Sequence, residues 1–387
     1  MKKILFAAFA ALSFSAYAQS EAPTFTVVKE NRITSIKDQH RSGTCWSYSG
    51  LGFFEAELLR MGKGEFDLCE SFVVEHTYMD RADRAVRTHG DVSFSNGGSF
   101  YDVLYALKKY GIVPEGTMPF PGSLYGDSLF NFQELDPIMN GYVKSIAKSE
   151  AKKIPLTWKK EFAFILENYF GAYPKEFEYE GKTYTPESFR DMLGLNLDDY
   201  VSLTSYTHEP FYDKFILEIQ DNWRWASSYN LPLDEFMEVM ETAVRNGYCF
   251  AWGADVSEKG FSRNGIATVP AKQYKNDMSG SDAARWTGTN GKEVKIADSK
   301  DEAVITQEMR QRGYDNWETT DDHGMVIYGL AKDQDGKEYF MVKNSWGEYG
   351  TYKGVFYASK PYVAYKTMNI LINKNAIPKP IRKKLGI

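Results

Sequence analysis

Only three cysteines (45, 69 and 249) and five histidines occur in 387 residues. So few cysteines exclude a disulfide-framework scaffold, and an odd number cannot all pair within one chain. Metal-ligand spacing is missing too. Cys69 with His76 has no second pair beside it, so no metal or other cofactor is expected. Positive charge is in deficit, with 46 Lys+Arg against 52 Asp+Glu. That balance argues against a nucleic-acid partner, which needs a basic face. Lys379, Arg382, Lys383 and Lys384 cluster near the C-terminus and read as a solvated tail. Long apolar runs are absent except at residues 4–14, behind Lys2 and Lys3 and ahead of Ala16-Tyr17-Ala18. This is the pattern of a signal peptide cut before Gln19, and the run is too short for a membrane anchor of roughly 20 residues. No Cys follows it to carry a lipid. The expectation is an exported protein, periplasmic or extracellular, without a stable membrane anchor. Loss of residues 1–18 removes two Lys and no acid, taking the formal charge from -6 to -8.

What is present is apolar mass. The chain is 43% hydrophobic and 15% aromatic, enough to build a sizeable core and clefts within it. Leu51, Phe54, Leu58 and Met61 recur at helical spacing, so 45–61 reads as a helix with Thr44 at its start and Gly62 at its end. Helices are expected at 70–79 and at 101–110, the latter stopped by Gly111. Pro119, Pro121, Gly122 and Gly126 then break the pattern. Residues 119–245 read as an inserted, mostly helical region, with helices at 187–193 and 233–246. From 246 the period shifts toward two. Strands are expected at 249–256, 324–331, 339–344, 351–358 and 365–372, with Asp335-Gly336 as a turn. The organisation is a helical lobe at 19–118, the insertion, a β-rich lobe at 246–375 and a tail at 376–387.

Three strings carry chemistry. In Gln39-His40-Arg41-Ser42-Gly43-Thr44-Cys45-Trp46, a Cys opens a helix. Unsatisfied N–H groups and the helix dipole favour its thiolate there, although a simply buried Cys would look the same. In Asp322-His323-Gly324, a His heads a strand, where it suits a general base. In Asn344-Ser345-Trp346-Gly347, the Asn can orient a His ring and the Trp can shield that bond from water.

Together these strings resemble the papain superfamily of cysteine peptidases. The resemblance implies an α+β, two-lobe fold: a helical lobe facing an antiparallel, barrel-like β lobe. It assigns Cys45 as nucleophile, His323 as base, Asn344 as its orienter and Gln39 as oxyanion donor. Asn96-Gly97-Gly98 resembles the family's glycine pair for extended peptides. Trp46, Asp322 and Trp346 join the candidate substrate-binding residues. His323 follows Cys45 by 278 positions, against about 130–150 in ordinary papain-like enzymes. The extra length coincides with the inserted region. Ser42 stands where many relatives carry a Cys. Both features are similar to the bleomycin hydrolase and aminopeptidase C branch. Thr185-Pro186-Glu187-Ser188-Phe189, Leu197-Asp198-Asp199-Tyr200-Val201-Ser202-Leu203 and Gly253-Ala254-Asp255-Val256 are also similar to that branch.

The branch implies an aminopeptidase in which the terminal carboxylate, here that of Ile387, lies in the cleft to receive the substrate amine. It also implies a homohexamer. Gly324 departs from the branch's usual Ala, and the tail after Pro378 is short and basic. Peptide is the expected substrate. The alternatives are an endopeptidase on the same scaffold, or a catalytically silent peptide-binding protein. The pairing of Cys69 with Cys249 stays open.

Overall fold

The computed structural model describes residues 22–118, 131–258, 260–269 and 302–387. The leader at 1–18 and the breakers Pro119, Pro121, Gly122 and Gly126 lie outside these residues. In chain order the elements begin with β1 (Phe25–Glu30), α1 (Cys45–Arg60), α2 (Glu70–Arg87) and α3 (Phe100–Tyr110). The middle holds α4 (Leu135–Ala147), α5 (Thr157–Phe170), β2 (Phe177–Tyr179), β3 (Lys182–Tyr184) and α6 (Pro186–Leu193). It continues through β4 (Tyr200–Thr204), β5 (Lys214–Ile216), β6 (Ser227–Asn230) and α7 (Leu233–Arg245). After it come β7 (Phe250–Ala254), β8 (Phe261–Ser262), β9 (Ile266–Ala267), α8 (Gln307–Asp315) and β10 (His323–Asp333). The chain closes with β11 (Glu338–Lys343), β12 (Val355–Ser359), α9 (Lys360–Lys366), β13 (Thr367–Asn373) and α10 (Lys379–Leu385).

Helix α1 has the bounds its periodicity predicts, but it is not amphipathic in place. Every residue from Cys45 to Leu59 is buried. A helix buried all round lies between layers: its apolar face meets the sheet, and its remaining faces meet α2 and α3. Its two acids are accordingly partnered. Glu57 receives Arg60 and Asn373, while Glu55 receives Thr34 and the Leu68 amide. Gly62 ends the helix at φ +70. Thr44 does not cap it, because no side-chain cap bond forms; the hydroxyl pairs with Ser42 instead.

The sheet runs β5-β6-β4-β13-β7-β10-β11-β12-β9-β8, with β1 added along the second half of β10. Strand alternation sorts its side chains into two cores. Ala251, Val326, Tyr328, Met341 and Leu371 face α1. Phe250, Trp252, Met325, Ile327, Val342 and Ile370 face the layer of α7 and α10. This is a mixed α+β, papain-like arrangement. Among its described residues the inserted region carries four α-helices, but it also supplies β4, β5 and β6, which extend the main sheet rather than stand apart from it. Those strands are short and polar in places, so no alternation flagged them. All three cysteines are buried, and Cys69 and Cys249 are not joined by a disulfide.

The tail also differs from an extended arm. Pro380 lies in the first turn of α10, and Gly386 ends it in the left-handed region, with the Ile387 amide donating back to Arg382 O at 3.1 Å. Ile381 and Leu385 are buried in the second core, and Ile387 packs against it. Lys384 pairs with Glu235 of α7 at 2.5 Å.

One buried ring predicts a pH effect. His76 is stacked between Tyr110 and Tyr173, at 4.0 and 4.2 Å. Burial, aided by Lys109 and opposed by Asp80, pushes its pKa down to about 3. An unfolded His takes up its proton near pH 6.5. Between those values the unfolded chain binds more protons, so this ring's contribution to stability falls as pH drops. The expected outcome for His76→Phe is a stability that rises relative to the parent as pH falls from about 6.5 toward 4. Urea midpoints at several pH values check it, and a constant difference would contradict it.

Candidate active site

The site is built where the two cores meet at the start of α1. Cys45 is the first residue of that helix, and Trp46 the second. The preceding turn is held closed by Ser42, whose Oγ donates to Gln39 O at 2.7 Å. Gly43 sits at φ +63 with the Asn96 amide 2.9 Å from where a Cβ would stand, so no side chain fits.

His323 is the first residue of β10, in register with Ala254 of β7. Its Nε2 lies 2.8 Å from Asn344 Oδ1. That oxygen can only accept, so Nε2 carries the proton and Nδ1 is the nitrogen left for a thiol. Asn344 is fixed in turn, because Oδ1 also accepts from the Ser345 amide at 2.7 Å. Trp346 lies over the His323 ring at 4.8 Å between centroids. It is braced by Phe261 and Phe356, and so covers the His–Asn bond.

Gln39 belongs to the other lobe but is stitched to the same strand end. Its amide donates to Ser345 O at 2.8 Å, and Gly347 N donates to Lys37 O at 3.0 Å, framing a bridge between Asp38 and Trp346. Ser345 Oγ donates to Gln39 Oε1 at 2.7 Å. With Oε1 held, the side-chain amide presents its N–H groups as donors. Ser345 was not singled out from sequence, although it sits inside the Asn-Ser-Trp-Gly string. Gln39, Asn344 and His323 are nearly inaccessible, and Cys45 keeps 9% of its surface, which makes it the group an incoming molecule can reach.

Of the substrate-binding candidates, Asn96, Gly97 and Gly98 line up ahead of α3. Asn96 O accepts from Trp46 Nε1 at 3.2 Å and from Tyr78 OH at 2.9 Å. A Cβ on Gly98 would lie 2.7 Å from the Trp46 ring. Trp46 is buried beneath the pair and supports it, so it is not itself a contact surface. The Asp322 side chain is also turned inward, accepting from Ser257 N at 2.9 Å and Thr320 Oγ1 at 2.8 Å. Ile387 is not brought to the site. It follows Lys384, which reaches Glu235 and Tyr212. Tyr212 is bound to β6, several strands away from β10.

His323, Asn344, Ser345 and Gln39 are joined by hydrogen bonds within a papain-like fold, and the comparisons agree on that fold and class. The chain belongs to the Peptidase C1-like family, whose match spans residues 159–386. The Papain family cysteine protease matches residues 22–210. The chain is 24% identical to aminopeptidase C of Streptococcus thermophilus, covering 88% of this chain and 80% of that one. It is also 24% identical to aminopeptidase C of Lactobacillus delbrueckii subsp. lactis, covering 93% and 84%. The solved structure of PepW from Lactobacillus rhamnosis superposes with a TM-score of 0.68 at 22% identity, over 93% of this chain and 84% of that chain. The branch is that of bleomycin hydrolase and aminopeptidase C.

The packing at Gly324 leaves little room for a side chain. A Cβ there would stand 2.5 Å from Ser49 Oγ, which donates to Cys45 O at 2.6 Å. Gly324→Ala is expected to destabilise the protein by about 1–3 kcal/mol through overpacking. Adding Ser49→Ala removes the clashing oxygen and should return part of the loss. Denaturant midpoints of the single and double variants check this, and additive losses would contradict it.

Proposed function

We propose that the protein hydrolyses peptide bonds through Cys45, His323 and Asn344, with Gln39 as oxyanion donor, and that it acts as an exported aminopeptidase. The observation that carries the reading is the chain of contacts from Asn344 to His323 on one side and, through Ser345, to Gln39 on the other. In the mechanism, the Cys45 thiolate attacks the scissile carbonyl while His323 holds the proton. Negative charge on the oxygen is met by the Gln39 side-chain amide and the Cys45 N–H. His323 Nδ1 then gives its proton to the departing amine, and the C–N bond breaks to leave a thioester. Water attacks that thioester as His323 takes a proton, releasing the acid and restoring the thiolate. Asn344 keeps the ring in the tautomer both steps need.

The free N-terminus as specificity element comes from the named aminopeptidase relatives. An endopeptidase reading draws on one observation: Ile387 packs away from the cleft. Export rests on the leader pattern alone.

Cys45→Ala is expected to abolish turnover with an unchanged thermal transition, and Gln39→Ala to lower kcat about 10²–10³-fold. Retained activity in the first, or a near-neutral second, would remove those assignments. Cleavage of an aminoacyl fluorogenic amide but not of its N-acetyl twin supports the aminopeptidase reading; equal cleavage supports the endopeptidase. Expression of the full chain in a bacterial host should yield an exported protein beginning at Gln19, read by intact mass; an uncut cytoplasmic product would contradict export.

A further inference from the structure

The inserted region places a carboxylate on the glycine pair. Between β5 and β6, residues 217–226 leave the sheet as a braced loop. Asn222 Nδ2 donates to Leu217 O and to Ala226 O, both at 2.8 Å. Arg224 ties the loop to α3 and α2, donating to Asp102 Oδ1 at 2.6 Å and to Asp80 Oδ2 at 2.9 Å. Asp221 directly precedes Asn222 and is held in place by these anchors.

A Cβ added to Gly97 would lie 2.3 Å from Asp221 Oδ2, so the carboxylate rests on the Gly97 α-carbon. Behind it, buried Arg81 donates from Nη1 both to Gly97 O at 2.7 Å and to Asp221 Oδ1 at 3.2 Å. Beside it is Asp321, two residues before His323, and the Asp321 carboxylate accepts from the Asp221 amide. The loop therefore spans from the glycine-pair wall to the His323 wall. Oδ2 of Asp321 is buried and meets no hydrogen-bond donor among the described residues. Burial, with the charges of Asp221 and Asp322, pushes the Asp321 carboxyl well up. Arg81 pairs with Asp221, and Oδ2 of Asp321 is the acceptor this corner has to spare.

We propose that Asp221, backed by Asp321, receives the α-ammonium group of the peptide's first residue, and that its loop closes the cleft one or two residues N-terminal to the bond that is cut. The proposal rests on the Cys45 site reading for the position of that bond. It gives this chain an amine receptor made of inserted residues, separate from the tail that packs against the second core. Substrates are then short or unblocked peptides entering N-terminus first.

The test uses the Cys45→Ala protein, so that binding is read without turnover. Calorimetry compares phenylalanyl-alanine amide with its N-acetyl twin, in that protein and with Asp221→Asn added. Asn keeps the shape and can still accept from Arg81, but loses the charge. Asp198→Asn, an exposed site remote from the cleft, controls for net charge, and Asp321→Asn replaces Asp221→Asn if the latter fails to fold. The free amine should bind about 10–100-fold tighter than the acetylated peptide. Asp221→Asn should erase most of that preference and leave the acetylated peptide unchanged. A preference that survives Asp221→Asn, or that is absent from the start, overturns the proposal. Turnover by the intact enzyme reports separately on the peptidase reading. Cys45-dependent cleavage with an unmoved amine preference rejects Asp221 alone, whereas an Asp221-dependent preference without turnover rejects the Cys45 reading alone.

Discussion

The pairing of residues 37–39 with 345–347 is the contact on which the site depends. It joins the segment that carries Gln39 to the strand end that carries Asn344, although the two lie some three hundred residues apart. Buried charge lies beneath it. Lys37 meets Glu55 at 3.3 Å and Glu70 at 2.7 Å, and Lys343 donates to Thr34, which donates to Glu55. Burial opposes the charged forms, yet the acids around Lys37 hold its pKa well up, and the two lysines hold Glu55 down. Such a network adds little net stability, because desolvation offsets the attraction, but losing one partner costs about 3–5 kcal/mol. Lys37 sits two residues before Gln39 and Lys343 one residue before Asn344, so the network lies next to both of these site residues in the chain.

The second constraint is the inserted region. Had it been a separate helical unit, it would bear on the site only by proximity. Instead β4 pairs with β13 and β6 with β4, so the loop after β5 is fixed to the same sheet as His323. Asn222 and Arg224 then set that loop against α2 and α3. Chain length that looks extraneous to the chemistry thereby shapes the cleft in which the chemistry would occur.

Much of this was legible in the sequence where local chemistry decides. The bounds of α1, α3, α6 and α7 followed from apolar spacing with Gly62, Gly111, Pro186 and Asn246-Gly247 as punctuation. The strands β7, β10 and β11 followed from their apolar runs and the Asp335-Gly336 turn. Cys45, His323, Asn344 and Gln39 were visible as strings. What was not legible depends on tertiary context. The polar strands β5 and β6 exist because they pair with a sheet, not because of their own pattern. Helix α2 runs on to Arg87 past its expected end because its polar second half lies against the inserted helices. Trp46 and Asp322 turned out to support the site from behind, a distinction that residue type cannot make. Asp221 had no motif at all, since only the folded loop brings it to Gly97.

The most direct test of the account is the pH dependence of Cys45 alkylation by iodoacetamide, compared between the intact protein and His323→Ala. Cys69 and Cys249 do not compete: burial raises the first well above an ordinary thiol and pushes the second up to about 12. If Cys45 and His323 form one thiolate–imidazolium pair, alkylation of the intact protein persists into the acidic range. His323→Ala then moves its onset up toward that of an ordinary cysteine, near 8.5. Superimposable profiles would mean that the two residues do not act as a pair, and the account of the site would fall with them.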